Sequence, residues 1–308
     1  MDRLVAVTGA TGFVGPHLVS ALARRGWKLR LLVRRWSPLP SLPGVDAEIV
    51  LGDLADEGAL RRLVDGADTV VHAAGLIKAR SPVDFRKVNV EGTARLSELA
   101  PQARFVLLSS LAAREPQLSA YAESKHEAEQ AVAGRAGPWL AIRAPAVYGP
   151  GDRETLAYFR AASRGVAPRP RLDNARLSLI HVEDLAEALA AAVEHRPADS
   201  VYEIDDGREG GYGYSDMATA AATALGRAVW SLPIPRAAME IAGWANGLRQ
   251  SLGGPPQILT GAKVGEMFHP DWTVHDHRLA ATIGFRARYD LTAGFRHTVL
   301  WYRRQEWL

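Results

Sequence analysis

The chain has 308 residues, 47% hydrophobic and 23% charged, with a formal net charge of +3, which suits one large globular unit or a main domain with a smaller appendage. No cysteine is present, so disulfides, thiolate metal sites and cysteine nucleophiles are excluded. Its arginine pairs (Arg24-Arg25, Arg34-Arg35, Arg61-Arg62, Arg303-Arg304) are dispersed and no apolar run is long enough to span a bilayer, so neither nucleic-acid binding nor an integral membrane segment is expected.

The first strand begins at Arg3 or Leu4, leaving no room for a signal peptide, and the expected location is cytoplasmic. Leu4-Val5-Ala6-Val7 reads as a buried strand, and Pro16 to Arg25 carries Leu18, Leu22 and Arg25 at helical spacing. Between them Thr8 to Gly15 reads TGATGFVG. Gly9, Gly12 and Gly15 fall where such a site needs a tight turn, a close backbone approach to a pyrophosphate, and tight packing of helix on strand. The N–H groups and dipole of the helix N-terminus then hold the phosphates, and the strand and helix on either side favour a dinucleotide site over a bare glycine turn.

Lys28 to Val33 reads as the second strand, followed by Arg34. An acidic residue here would bind the adenosine ribose hydroxyls; a guanidinium instead pairs with a 2′-phosphate, favouring NADP over NAD, with a solvated surface arginine as the competing reading. Trp36 to Gly44 is expected to be a loop over the adenosine end. A third strand, Ala47 to Leu51, delivers Gly52-Asp53-Leu54 to the expected adenine pocket, Asp53 accepting from the adenine amino group and Leu54 packing on the ring. Asp53 competes with Asp56 for capping the helix expected over Glu57 to Val64. Thr69 to His72 is the fourth strand, ending in Ala73-Ala74-Gly75, whose small side chains let a cofactor lie against the backbone; His72 is expected to be packed rather than catalytic. A helical pattern from Val83 to Leu99 carries Asn89-Val90-Glu91-Gly92-Thr93, and Arg104 to Leu108 is a fifth strand leading to Ser109 and Ser110. Tyr121 and Lys125, four apart, share one face of the next helix, which runs to Val132.

In this order, with TGATGFVG, Gly52-Asp53-Leu54, HAAG at His72 to Gly75, NVEGT, LSS, YAESK, RAPAVYGPGD and SLIHVEDLA, the chain resembles the extended short-chain dehydrogenases/reductases over residues 3 to about 195. That group includes nucleotide-sugar epimerases and dehydratases, dihydroflavonol reductases and 3β-hydroxysteroid dehydrogenases. The resemblance implies Tyr121 as general acid/base, with Lys125 lowering its phenol pKa and binding the nicotinamide ribose. It implies Ser110 as the residue that orients the substrate oxygen, with Ser109 as the alternative. It implies a cofactor site of Gly9, Thr11, Gly12, Phe13, Val14, Gly15, Arg34, Asp53, Leu54, Ala73, Ala74, Gly75, Tyr121 and Lys125, with Pro145 and Val147 beside the nicotinamide carboxamide. Two departures point away from a sugar nucleotide. Only ten residues separate Ser110 from Tyr121, as in the classical branch and some complex I-associated subunits. Ala146 replaces the usual asparagine, and Leu177-Ser178-Leu179-Ile180 lacks the usual arginine.

Trp139 to Ile142 is the sixth strand; Gly149 to Asp152 a turn before a helix from Glu154 to Ser163; His181 the start of a helix to Glu194, its imidazole making an inter-segment hydrogen bond. His275 and His277 flank Asp276 without a third ligand, so no metal is expected. A strand at Tyr202 to Ile204 precedes a glycine-rich stretch, Gly207 to Gly213, read as a flexible rim. A helix from Tyr214 to Leu225, a strand from Val229 to Leu232 and an apolar helix from Ala237 to Leu248 follow. That apolar helix carries Met239, Ile241 and Trp244 for core packing, a pocket wall or peripheral contact with a membrane surface. Leu291 to Trp301 is the final helix, and WYRRQEWL resembles the end of dihydroflavonol-reductase-like members, so the chain is expected to be complete.

The expectation is an α/β Rossmann fold, a doubly wound parallel sheet with a small α/β carboxyl-terminal substrate region. Residues 1–150 would form the NADP-binding core and 151–308 mainly the substrate region, with 175–205 returning to the core. The leading function is NADP-dependent hydride transfer between nicotinamide and a small-molecule ketone, aldehyde or alcohol of apolar or amphipathic character, by a homodimer. A nucleotide-sugar epimerase or dehydratase and a non-catalytic NADP-holding assembly protein stay open.

Overall fold

Short apolar segments separated by helices of matching length leave a parallel sheet as the economical way to bury every strand. The computed structural model, which describes residues 3–34, 44–251 and 261–308, has that sheet in the first of two units into which the chain divides. Unit 1 comprises Met1–Ala144, Leu185–Glu203 and Asp276–Phe285. Its elements begin with β1 (Leu4–Thr8), α1 (Gly15–Arg24), β2 (Lys28–Val33), β3 (Ala47–Leu51), α2 (Glu57–Val64) and β4 (Thr69–His72). They continue with α3 (Pro82–Phe85), a π-helical turn (Arg86–Glu91), α4 (Gly92–Leu99), β5 (Arg104–Ser110), α5 (Ala120–Ala133) and β6 (Trp139–Ala144).

Unit 2 comprises Pro145–Asp184, Ile204–His275 and Arg286–Leu308. Along the chain follow β7 (Ala146–Tyr148), α6 (Leu156–Ser163), β8 (Val166–Pro170), β9 (Arg176–Leu177) and β10 (Leu179–His181). The segment that returns to unit 1 holds most of α7 (Val182–His195) and β11 (Ser200–Glu203). Unit 2 then resumes with α8 (Tyr214–Leu225), β12 (Trp230–Ile234), α9 (Arg236–Ser251), α10 (Gly261–Met267) and β13 (Asp271–Trp272). The last elements are α11 (Arg278–Ile283) in unit 1 and α12 (Leu291–Arg304) in unit 2.

The unit 1 sheet has the order β11-β6-β5-β4-β1-β2-β3, and every described pairing is parallel. Val5, Ala6, Val7, Val70, Val71, Phe105, Val106, Leu140, Ala141 and Ile142 are fully buried, as expected of strands covered on both faces. The edge strand β3 differs: Ile49 and Leu51 are exposed, because only one neighbour and one face cover it. α1 turns Leu18, Val19, Ala21 and Leu22 inward, and α2 is capped by Asp56, whose carboxylate accepts from the Ala59 N–H at 2.9 Å. The chain runs from β1 to β2 on one side and from β4 to β5 on the other, so the order reverses between β1 and β4. This is a doubly wound, Rossmann-type α/β sheet.

Among its described residues, unit 2 has three two-stranded parallel ribbons, β7–β10, β8–β12 and β9–β13. Its core is aromatic: Phe159 and Phe295 have ring centroids 4.9 Å apart, Tyr148 and Phe295 5.1 Å, Phe159 and Tyr302 5.6 Å, in edge-on arrangements that suit the ring quadrupoles. Gly294 on α12 is required by this packing, since a Cβ there would fall 2.1 Å from the Tyr148 hydroxyl oxygen. One element carries no strand signal in the sequence, and the glycine-rich stretch differs from the rim expected of it. β8, Val-Ala-Pro-Arg-Pro, has two prolines and no strand pattern, and is tolerated because it pairs on one side only. The glycine-rich stretch is not a free rim: Tyr212 is buried and exchanges backbone hydrogen bonds with Leu177 at 2.8 and 2.9 Å, while its hydroxyl donates to Asp206 at 2.7 Å. The loop read over Trp36 to Gly44 lies outside the described residues except for Gly44.

Candidate active site

The glycine turn and the Ala73–Gly75 segment meet at the sheet's switch point. Gly9 has φ +78°, and a Cβ on it would lie 2.6 Å from the Ala73 carbonyl carbon; a Cβ on Gly15 would lie 2.2 Å from the Gly9 oxygen. Both positions therefore accept only glycine. Gly12 closes the turn, its N–H donating to the Gly9 oxygen at 3.0 Å. Val14, the N-cap of α1, offers no side-chain cap and the first turn of α1 holds no acid, so its amino end carries uncompensated N–H groups with a positive dipole. Thr11 and Phe13 lie in the same turn. The donor set and the close backbone approach fit a dinucleotide pyrophosphate.

Around this turn the other expected cofactor residues fall at the carboxyl ends of the strands. Arg34 follows β2 directly and is exposed. Asp53 follows β3 and is exposed; its carboxylate accepts from the Ala55 and Asp56 N–H groups at 2.8 and 3.2 Å, which fixes its orientation. Leu54 lies against α4, where a Cβ on Gly92 would be 3.0 Å from its Cδ1. Ala73 and Ala74 are half-buried and Gly75 exposed. Pro145 and Val147 belong to unit 2, Val147 in β7 and Pro145 just before it.

His72 is a packed histidine, as expected. The Thr93 hydroxyl donates to the Asn89 carbonyl oxygen at 2.6 Å and so accepts from His72 Nε2 at 2.9 Å, leaving Nδ1 to accept from the Thr8 hydroxyl at 2.6 Å. The imidazole is thereby held as the neutral Nε2–H tautomer. Full burial, with the Lys125 charge adding to it, pushes its pKa down to about 3.

Ser110 ends β5, and Tyr121 and Lys125 lie on the first two turns of α5. The Ser110 oxygen accepts from the Ala112 N–H at 3.2 Å, which leaves its O–H to donate. Ser109 is buried and donates to Glu129 at 2.5 Å, so its hydroxyl is committed away from the sheet edge. The ten residues before Tyr121 form two short 3₁₀ turns, Leu111–Arg114 and Pro116–Leu118, and Ser119 caps α5 by accepting from Ala122 N–H at 3.0 Å. The Tyr121 ring is half-buried and tilted against Phe85 at 5.9 Å. Lys125 Nζ donates to the Leu108 carbonyl at 2.6 Å, and burial lowers its pKa to about 8 against the opposing pull of Glu129.

Asn89, within NVEGT, has a role that the sequence pattern does not assign. It sits buried in the π-helical turn, where Oδ1 accepts from Leu76 N–H at 2.7 Å and Nδ2 donates to the Leu76 carbonyl at 3.0 Å and to Ser124 Oγ at 2.9 Å. Ser124 in turn donates to the Tyr121 carbonyl at 2.8 Å. One amide thus braces the loop after β4 against the helix that carries Tyr121. No local pattern predicts this, because a π-turn is set by tertiary partners.

Among the described residues, one group can gather metal-ligating atoms: His181, Glu183 and His297 in unit 2, within 4.8 Å. Its contacts are those of a hydrogen-bonded cluster. His181 Nδ1 accepts from Glu183 N–H at 3.2 Å, which leaves Nε2–H for His297 at 3.2 Å, and Glu183 Oε2 is taken by Arg288 at 2.6 Å and Tyr289 at 3.0 Å. His275 pairs with Asp271 at 3.0 Å, and Asp276 with Arg278 at 2.8 Å. No described helix is long and apolar enough to cross a membrane.

Comparison with known proteins adds to this geometry. Residues 5–205 match the model of the NAD-dependent epimerase/dehydratase family. Ceramide reductase of Caulobacter vibrioides is 41% identical over 307 residues, covering 99% of this chain and 96% of that protein. Among solved structures, gox2253 superposes with a TM-score of 0.80 at 22% identity over 100% of both chains, a likeness of fold. MoeE5 in complex with UDP-glucose and NAD gives a TM-score of 0.74 at 25% identity over 99% of each chain.

Proposed function

The chain belongs to the NAD-dependent epimerase/dehydratase family of the short-chain dehydrogenase/reductase superfamily, whose members are NAD(P)-dependent enzymes, and from that premise we propose that it is an NADP-dependent reductase of a carbonyl group on an amphipathic, ceramide-like lipid. The dinucleotide supplies the hydride. Tyr121 holds the proton that passes to the carbonyl oxygen, giving an alcohol, and takes it back when the reaction runs in reverse. The Ser110 O–H orients the carbonyl. Lys125, still largely cationic near neutral pH with a pKa of about 8, places a positive charge one helical turn from Tyr121, where it would favour the developing phenolate. Arg34 pairs with the adenosine 2′-phosphate and gives the preference for NADP.

The observation that carries this reading is the buried Lys125, one helical turn after Tyr121 and tied to β5 next to Ser110. The lipid substrate rests on the near full-length similarity to a protein named for ceramide reduction. A nucleotide sugar is disfavoured by Ala146, which offers no side-chain donor to a diphosphate.

NADPH consumption with a long-chain ceramide-like ketone tests the proposal, wild type beside Tyr121→Phe. Turnover is expected in the wild type and a loss of roughly 10²–10⁴-fold in the variant, with cofactor affinity retained. Equal rates in the two proteins would remove Tyr121 from the chemistry, and turnover of a UDP-sugar instead would overturn the lipid assignment.

A further inference from the structure

α9 faces the wrong way for a helix in water. Among its described side chains Met239 and Gly243, four residues apart, are the buried positions. On the opposite arc Ala237, Ile241, Trp244 and Ala245 are exposed, Ile241 and Trp244 each by 69%. Arg236 and Glu240 lie to one side and pair with each other at 2.8 Å. A helix on a protein surface ordinarily opposes its buried stripe with charge; this one opposes it with tryptophan and isoleucine. β12, immediately before α9, continues the pattern, with Trp230 78% and Leu232 51% exposed, two residues apart and so on one side of the strand.

The surroundings of the β12 side chains are basic. Trp230 N–H donates to the Gly165 carbonyl at 2.8 Å, which sets it beside the exposed Arg164, and the exposed Arg227 reaches the Ser163 carbonyl. Arg171, also exposed, is joined to Ile234 by a backbone hydrogen bond of 2.8 Å. The stretches 160–173 and 226–240 together contain six arginines against two acidic residues, Asp173 and Glu240, of which Glu240 is taken by Arg236.

We propose that this face of unit 2 docks on an anionic lipid bilayer. The four large apolar side chains would enter the boundary between headgroups and acyl chains, where indole rings are favoured, and the arginines would pair with lipid phosphates. A uniformly anionic surface complements an apolar centre with an arginine rim and no acidic counterpart on the same strands. The inference stands on unit 2 alone, so it can hold or fail independently of the catalytic proposal.

The test is co-sedimentation of the full chain with vesicles of phosphatidylcholine alone and of phosphatidylcholine with phosphatidylglycerol at about three to one, with tryptophan emission followed in parallel. The expected result is partition at least about tenfold stronger onto the anionic vesicles with a blue shift in emission. Ile241→Asp combined with Trp244→Asp should lose at least about tenfold of that binding, with thermal melting and NADPH binding unchanged because both side chains are exposed. Arg164→Glu with Arg227→Glu should remove the advantage of the anionic vesicles. Failure of the wild type to bind either vesicle, or equal binding by the Ile241/Trp244 variant, would overturn the proposal. So would a dimer in solution that Trp244→Asp dissociates, since a second copy would then be what covers the face.

Discussion

His72 shows at the scale of one residue why burial and function separate. Its two ring nitrogens are both occupied by threonine hydroxyls, and its pKa is about 3 against an ordinary 6.5. A base with a lowered folded-state pKa stabilises the fold above its unfolded pKa and loses that contribution as the pH falls. The unfolded chain takes up the proton below about pH 6.5 and the folded chain does not until about pH 3, so stability falls across that window by an amount on the order of 5 kcal/mol. Nitrogen NMR of labelled histidine should show the neutral Nε2–H form of His72 persisting to pH 4, and His72→Asn should flatten the slope of stability against pH between 6.5 and 4.5. Titration of His72 near pH 6.5 in the folded protein would contradict this account.

α5 does the equivalent work at the scale of an element. Tyr121, Lys125 and Glu129 recur four apart along one face. Lys125 reaches the Leu108 carbonyl of β5; Glu129 accepts from Ser109 of β5 and, with both oxygens, from Arg143 of β6, at 2.9 and 2.7 Å. Although burial acts to lower the Arg143 pKa, Glu129 and Glu203 outweigh it and raise the value, so the guanidinium is fully charged. Glu129→Ala would leave that half-buried charge without its closest partner, and a loss on the order of 3 kcal/mol in urea unfolding, the low end for a buried pair, is expected. A loss below about 1 kcal/mol would show that Glu203 alone satisfies Arg143.

Cofactor binding is read at the scale of the whole molecule, because a ligand that binds only the folded chain raises the stability of all that unfolds with its site. At one hundred times its Kd, NADPH should stabilise the protein by roughly 2.7 kcal/mol. At equal concentration NADH should shift the melting temperature less, if Arg34 clamps the 2′-phosphate. Arg34→Asp should weaken NADPH by roughly 10–100-fold, the value of one or two charge-assisted hydrogen bonds, and leave NADH little changed. Equal loss for both dinucleotides would assign Arg34 to the solvated surface instead.

The strands of unit 1 and its helices α1, α2 and α5 were legible in the sequence because each carries its own signal. β2, β3, α2 and β4 fall at the bounds that hydrophobic periodicity and the Asp56 cap set, and TGATGFVG announces a backbone approach that Gly9 and Gly15 alone permit. The order of motifs likewise announced the family. Only the tertiary structure decided what depends on partners distant in sequence. Ser109 and Ser110 are chemically alike, and Glu129, twenty residues after Ser109, is what separates them. Asn89 acquires its place from Leu76 and Ser124, β8 forms against its prolines because β12 lies beside it, and Tyr212 pins a glycine-rich stretch through Leu177. Periodicity recorded that α9 is apolar, but which of its faces meets water follows from what packs beneath Met239 and Gly243. A local pattern fixes a residue's conformational preference, whereas its environment is the sum of groups brought to it from elsewhere in the chain.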